Sequence, residues 1–575
     1  MRRRCALILV FLILGVVLNA SQGQALEIFP LEEIRPGLMG VGRTVISGTT
    51  IEDFTVEVLG IIPQSPPVED LILVRVSGDP IERSGGIAMG MSGSPVYIDG
   101  RLVGAISHTF EQTDHRVGLI TPAGEMFKLY DGLQASAPVL PEDAVAVRSP
   151  LIVQGLNART AQYLQEALKN YQIQVLPSVA GEVEETQPGL EPGSMVGVQL
   201  LRGDFQVASF GTVTHVQEDG RFIAYGHPFT HLGEVGFFAA DAYVHYTMPS
   251  RDVPYKIVSL GSTIGSIEQD RAVGIAGVLD TDLPYVSAAI NVWDKDRDLR
   301  RTFEVESVTE ASFLMSLLIS SAYQSIDATL DRVGAGTSFV RLEFEAPNLS
   351  QRMIRENLFF SDTDIAVWSL TDLLAGLELL LNNSVQEVEL QHVQVDVEIA
   401  QERKTATIES AAPNRSHVRP GEHVDVEVTI RPYRGLSEKR MLRFTVPEDT
   451  APGLMTVTVR SGAADFYESR PPTHVGIFAE EEELEPIRAV VSGAETLDAL
   501  IREYMERERN NELVVEFYPF RQAYELEESE LDEGDGSFDN SYNYYAWNGG
   551  GEPERVRLST QYVLDGVATF DLNVY

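Results

Sequence analysis

Cysteine is all but missing from this chain: Cys5 is the single one in 575 residues. That excludes disulfides, thiolate catalysis and cysteine-zinc sites from the rest of the sequence. Cations are short as well, with 44 Lys and Arg against 85 Asp and Glu and a net charge of -41. Nucleic acid is thereby excluded as a partner, because phosphate binding rests on clustered Lys and Arg. Part of the acidic excess is local, in Glu480 to Glu485 and Glu525 to Asp535, and such runs read as solvated loops or linkers. Long apolar runs are missing beyond the first 25 residues, which excludes a multi-span membrane protein.

The one apolar run, Ala6 to Leu18, follows Arg2, Arg3 and Arg4 and precedes the small residues around Gly23-Gln24-Ala25. This is the pattern of a secretory signal peptide over 1–25, with cleavage after Ala25; an uncleaved anchor helix is the rival reading. A cleaved chain is expected to be exported, periplasmic or extracellular, with no membrane span left.

The remainder is long enough for several domains, and strand patterns dominate it. Phe54 to Leu59 alternates with period two, and Leu71 to Val76 reads as a buried strand. Asp99-Gly100 between Val96-Tyr97-Ile98 and Leu102 to Ile106 is a hairpin signal. The segments expected are a serine-bearing β half over 26–150, a helical linker over 151–190, a second β half over 191–300 and a helical or mixed segment over 301–390. A β-sandwich of immunoglobulin-like type follows over 391–478. Last comes an acidic C-terminal region over 479–575, with one helix capped by a Ser492/Glu495 box, a loop from Asn540 to Gly551 and a final strand from Val563 to Val574.

Gly90-Met91-Ser92-Gly93-Ser94-Pro95 is the segment richest in chemistry. A serine nucleophile needs a tight turn with backbone N–H groups aimed at the developing oxyanion. Gly90 and Gly93 permit such a turn, and the N–H groups of Gly90 and Ser92 would form the hole, in a trypsin-like arrangement. The strand after the hairpin, with Ser107 and His108, would flank the specificity pocket and pair with substrate backbone. An α/β-hydrolase elbow is excluded, since Ser94 stands where that motif needs glycine. The bland reading is a Gly/Ser turn with no chemistry. For the general base, His227 ends a strand in Tyr225-Gly226-His227-Pro228; His108 is the rival nearest Ser92 in sequence. His215, His231 and His245 read as surface or packing residues. His227 and His231 are four apart, but Pro228 spoils a helical metal face, so no metal and no cofactor are expected.

Three blocks together resemble the SpoIVB (stage IV sporulation protein B) peptidase family of serine endopeptidases with a trypsin-like catalytic arrangement. They are Asp79-Pro80 with Gly85 to Pro95 and Gly104 to His108; Gly211 to Thr214 leading to Gly226-His227; and Ile264 to Asp270 with Gly274 to Gly277. The resemblance implies Ser92 as nucleophile, His227 as base and Asp79 as the orienting acid, with Asp241 and Asp270 as alternative acids. Here the serine block precedes the histidine block, the reverse of the family's order, which implies circularly permuted halves of a double β-barrel. Met91 takes the place of the aspartate that pairs with a freed N-terminus in many trypsin-like enzymes, so activity is expected without that activation. The expected partner is a protein or peptide substrate. The alternative is a catalytically silent scaffold with the peptidase fold, bound to a protein of the cell envelope.

Overall fold

Strand alternation in the first 150 residues closes a sheet on itself. The computed structural model describes residues 27–66, 68–133, 137–171, 173–178, 189–463, 496–519 and 553–575. The expected signal peptide, both acidic runs, the Ser492/Glu495 box and the loop from Asn540 to Gly551 lie outside the described residues. The chain divides into two units, the first Met1–Tyr285 with Ser307–Leu314, the second Val286–Glu306 with Met315–Tyr575.

In the first unit, the strands are β1 (Met39–Val45), β2 (Ile51–Ile62), β3 (Leu71–Ser77), β4 (Pro95–Ile98), β5 (Arg101–Phe110), β6 (Val117–Pro122) and β7 (Ala144–Ala146). The order β4-β1-β2-β3-β6-β5 returns to β4, forming a closed six-stranded ring with β7 added outside β5. Inward residues such as Phe54, Val56, Val58, Val74, Val76, Val96 and Ile106 fill it, as the period-two pattern requires. The turn at Asp99-Gly100 has positive φ at both residues, the backbone a tight hairpin demands.

A parallel pair, β8 (Leu151–Gln154) and β9 (Val175–Ser178), brackets the helix Ala158–Ala167. That helix is capped by the Asn157 side chain on Thr160 N–H. The second ring follows: β10 (Met195–Gly203), β11 (Gln206–Val216), β12 (Arg221–Ala224), β13 (Gly233–Met248), β14 (Tyr255–Arg271) and β15 (Gly274–Leu279). Its order β10-β13-β14-β15-β12-β11 closes through β10–β11 pairing. Repeated bulges along β13–β14 bend these long strands around the ring. The protein is mainly β, with closed six-stranded barrels.

The second unit holds β16 (Tyr285–Asp294), β17 (Leu299–Val308), β18 (Gly336–Glu345), β19 (Met353–Ser361) and β20 (His392–Ala400) in one sheet. The stretch Ile365–Asn382 is apolar enough to cross a membrane, yet 56% of it is buried within the fold. β20, expected in the sandwich, instead pairs with β16 and β18.

Two further sheets share one apolar core. One is ordered β24-β23-β21-β28 and the other β22-β29-β25-β26-β27. Their strands are β21 (Thr405–Pro413), β22 (His417–Val418), β23 (His423–Pro432), β24 (Glu438–Thr445), β25 (Gly453–Ser461), β26 (Glu512–Phe517), β27 (Glu554–Ser559), β28 (Val563–Asp565) and β29 (Val567–Val574). The C-terminal strands therefore complete the sandwich rather than form a separate region. Inward Val457 and Val459 of β25 need partners, and β26 and β29 supply them. The C-terminal helix begins at Leu497 with Thr496 as its cap.

Candidate functional site

Ser92 sits on the turn between the helix Asp79–Ser84 and β4. The turn is closed by Met91 N–H on Ala88 O and Ser94 N–H on Met91 O, with Gly90 and Gly93 at φ 91° and 92°. Glycine at 93 is compulsory: a Cβ there would lie 1.8 Å from Thr212 O. That close approach lets the turn dock on the second ring. Thr212 N–H donates to Ser92 O (2.7 Å), Thr212 Oγ1 to Gly90 O (2.9 Å) and Thr214 Oγ1 to Gly93 O (2.8 Å). Met91 is buried, and its Sδ accepts from Ala88 N–H.

His227 follows the end of β12 in the second ring. Tyr225 and Gly226, both at φ 71°, turn the chain so that Thr121 Oγ1 of the first ring donates to Gly226 O (2.7 Å). The His227 ring then lies edge-on to His108, centroids 6.2 Å apart. The structure thus places the Ser92 turn and His227 on one seam between the rings. Both residues are 0% exposed, and Ser92 Oγ and His227 Nε2 have no hydrogen-bond partner. A buried polar atom without a partner costs about 1–3 kcal/mol; Ser94 Oγ on the same turn and both ring nitrogens of His115 are in the same condition.

Nδ1 of His227 does have a partner, donating to Pro228 O at 2.8 Å. This leaves Nε2 unprotonated, the form that accepts a proton. Burial pushes the His227 pKa down to about 3, and Arg148 and His108 push the same way, against the Pro228 bond. His108 is pushed down to about 4 by burial and then by Arg148; its Nδ1 bonds Ser107 Oγ, which donates to Leu119 O.

Asp79, the acid that the resemblance implies, is elsewhere. Its side chain is 82% exposed and pairs with Arg83 one helical turn on. Asp241 is buried on β13, opposite Val196 of β10. Asp270 is fully buried and accepts from Phe229 N–H, Thr230 N–H, Thr230 Oγ1 and His231 N–H. It braces the loop carrying His227 and Pro228 without touching the imidazole. Of the other histidines, His215 bonds Tyr130 and His245 bonds Ser259, whereas both ring nitrogens of buried His115 have no partner. Among the described residues no three His, Cys, Asp or Glu side chains cluster for a metal.

The expected oxyanion donors are not both open. Gly90 N–H points at Val147 O, 3.4 Å away, and the edge of β5 at Ser107 and His108 is already paired with β7. A buried lysine, unforeseen in the sequence reading, completes the turn: Lys256 Nζ donates to Gly90 O and Thr44 Oγ1, each at 3.1 Å. Burial lowers its pKa to about 7. The available signal was its position in phase with Val258 on the inward side of an alternating strand.

Residues 13–126 match the family model of the SpoIVB peptidase S55. The SpoIVB match takes in all six strands of the first ring and the Ser92 turn, and it ends before β7 and His227. That stretch is similar to a family of serine peptidases, and its serine-bearing turn is the one buried at the seam. Comparisons with curated proteins and with solved structures each give no match.

Proposed function

We propose that the protein is an exported serine endopeptidase in which Ser92 attacks the peptide carbonyl and His227 takes its proton. The observation that carries this reading is the pair of buried, unpartnered atoms, Ser92 Oγ and His227 Nε2, on one seam. With Nδ1–H held by Pro228 O, Nε2 is the free acceptor for the serine proton and later its donor to the leaving amine. The Pro228 carbonyl, on a loop braced by Asp270, takes the orienting part that a carboxylate plays in the ordinary triad. Ser92 N–H and Gly90 N–H are the oxyanion donors once Val147 O moves away. Export rests on the three arginines and apolar run at the N-terminus, and the substrate is a protein or peptide.

A catalytically silent scaffold of the cell envelope is the second reading, and the full burial of Ser92 and His227 favours it. Labelling with a fluorophosphonate probe separates the two. Stoichiometric labelling that both Ser92→Ala and His227→Ala abolish is the expected result. A folded wild-type protein that never labels, or labelling that survives Ser92→Ala, overturns the proposal.

A further inference from the structure

A serine peptidase binds its substrate as an extended strand added to a sheet edge, with the scissile carbonyl on the oxyanion donors. In this protein the segment Ala144–Arg148 has that placement. Ala144, Val145 and Ala146 pair antiparallel with Phe110, Thr109 and His108 of β5. Val147 N–H continues the ladder to Ser107 O at 2.9 Å, and Val147 O faces Gly90 N–H on the nucleophile turn. Val147 is fully buried in the apolar cluster that includes Ile87, Met91 and Ile106. Val145 and Ala146, by contrast, are half-buried. The next residue, Arg148, reaches Pro228 O (3.4 Å), the acceptor that also holds His227.

We infer that the Ser107–Phe110 edge is the peptide-binding strand of the cleft, and that Ala144–Arg148 occupies it as a built-in substrate analogue, with Val147 at the position of the residue preceding the scissile bond. This rests on the serine-peptidase reading of the seam and deepens it. The substrate class that follows is an extended peptide with an apolar residue of about valine size at that position, since the site that takes Val147 is lined by aliphatic side chains. An external substrate has to displace the segment. Displacement also removes the Arg148 guanidinium from the neighbourhood of His227, where it opposes formation of the imidazolium, and uncovers Gly90 N–H.

The test uses a full-length Ser92→Ala protein, which binds without turnover, and a fluorescent peptide Ala-Val-Ala-Val-Arg. Adding Val147→Pro removes the N–H bonded to Ser107 O and is expected to tighten peptide binding at least tenfold by anisotropy, with circular dichroism unchanged. A peptide with glutamate in place of its second valine is expected to lose that gain. Should Val147→Pro unfold the protein, Val147→Ala keeps the N–H, weakens the anchor and is expected to give a several-fold gain. A folded variant whose peptide affinity is unchanged overturns the inference. Fluorophosphonate labelling of the same Val147 variants with Ser92 restored keeps the two proposals apart. Peptide binding without labelling upholds the cleft and removes the peptidase reading; labelling without any gain in peptide binding does the reverse.

Discussion

Each unit buries a group of polar side chains, and the two groups differ in how completely they are paired. In the second unit Arg355 donates to Asp372, Tyr504 O, Arg507 O and Glu508 O. Asn357 also donates to Asp372, and Tyr504 donates to the Asp372 carbonyl. These bonds tie strand to helices, so the cluster works as a fastener. In the first unit Ser92 Oγ and His227 Nε2 are equally buried and unpaired. A fold tolerates that deficit where the groups are reserved for a reaction. Ser94 Oγ and both ring nitrogens of His115 carry the same deficit, so the unmet bond singles out Ser92 only together with the glycine-flanked turn that presents it.

The largest expected effect comes from breaking the unpaired side. Ser92→Ala is expected to cut peptide hydrolysis by on the order of 10⁶-fold while thermal unfolding shows no loss of stability, since no bond is removed. The paired side should behave in the opposite way. Asp372→Ala leaves the Arg355 guanidinium buried without its carboxylate and is expected to cost about 3–5 kcal/mol in denaturant unfolding, with cleavage per folded molecule unchanged.

Asp270→Asn lies between these extremes. It keeps the side chain's size but loses acceptor capacity for the four donors of the His227 loop. A fall in kcat of about 10–100-fold with little change in KM is expected from a misplaced base. An equal loss confined to stability would make Asp270 another fastener.

Proton linkage sharpens the contrast without mutation. His227 and His108 have folded pKa values of about 3 and 4 against 6.5. The unfolded chain binds more protons in that interval, so the histidines' contribution to stability is complete above pH 6.5 and is lost as pH drops toward 3. Lys256 has a folded value of about 7 against 10.5, so its contribution makes stability rise with pH between those values. Urea unfolding across pH checks both, and Lys256→Met should flatten the alkaline rise. The smallest effect is expected at Asp79: Asp79→Asn, on an exposed helix, should leave activity within about twofold, because surface ion pairs contribute little.

Local patterns were legible without coordinates where the chain interacts with itself at short range. The strand alternation of Phe54 to Leu59, the Asp99-Gly100 hairpin and the glycines flanking Ser92 encode backbone conformations that need no distant partner. The mainly β class and the two strand-rich halves followed from them, as did attention to Ser92 and His227. Long-range pairing was not legible. Nothing near Val563 announces that β28 pairs with β21, or that β26 and β29 complete the sheet around β25. Only the fold put Asp270 under the His227 loop, turned Asp79 to solvent and laid Val147 against Ser107. These outcomes depend on which edges remain open once the rings close, and a sheet edge accepts any backbone that reaches it in register. Side-chain pattern sets which face of a strand is buried; ring closure decides which strand, and so which carbonyl, arrives at the serine.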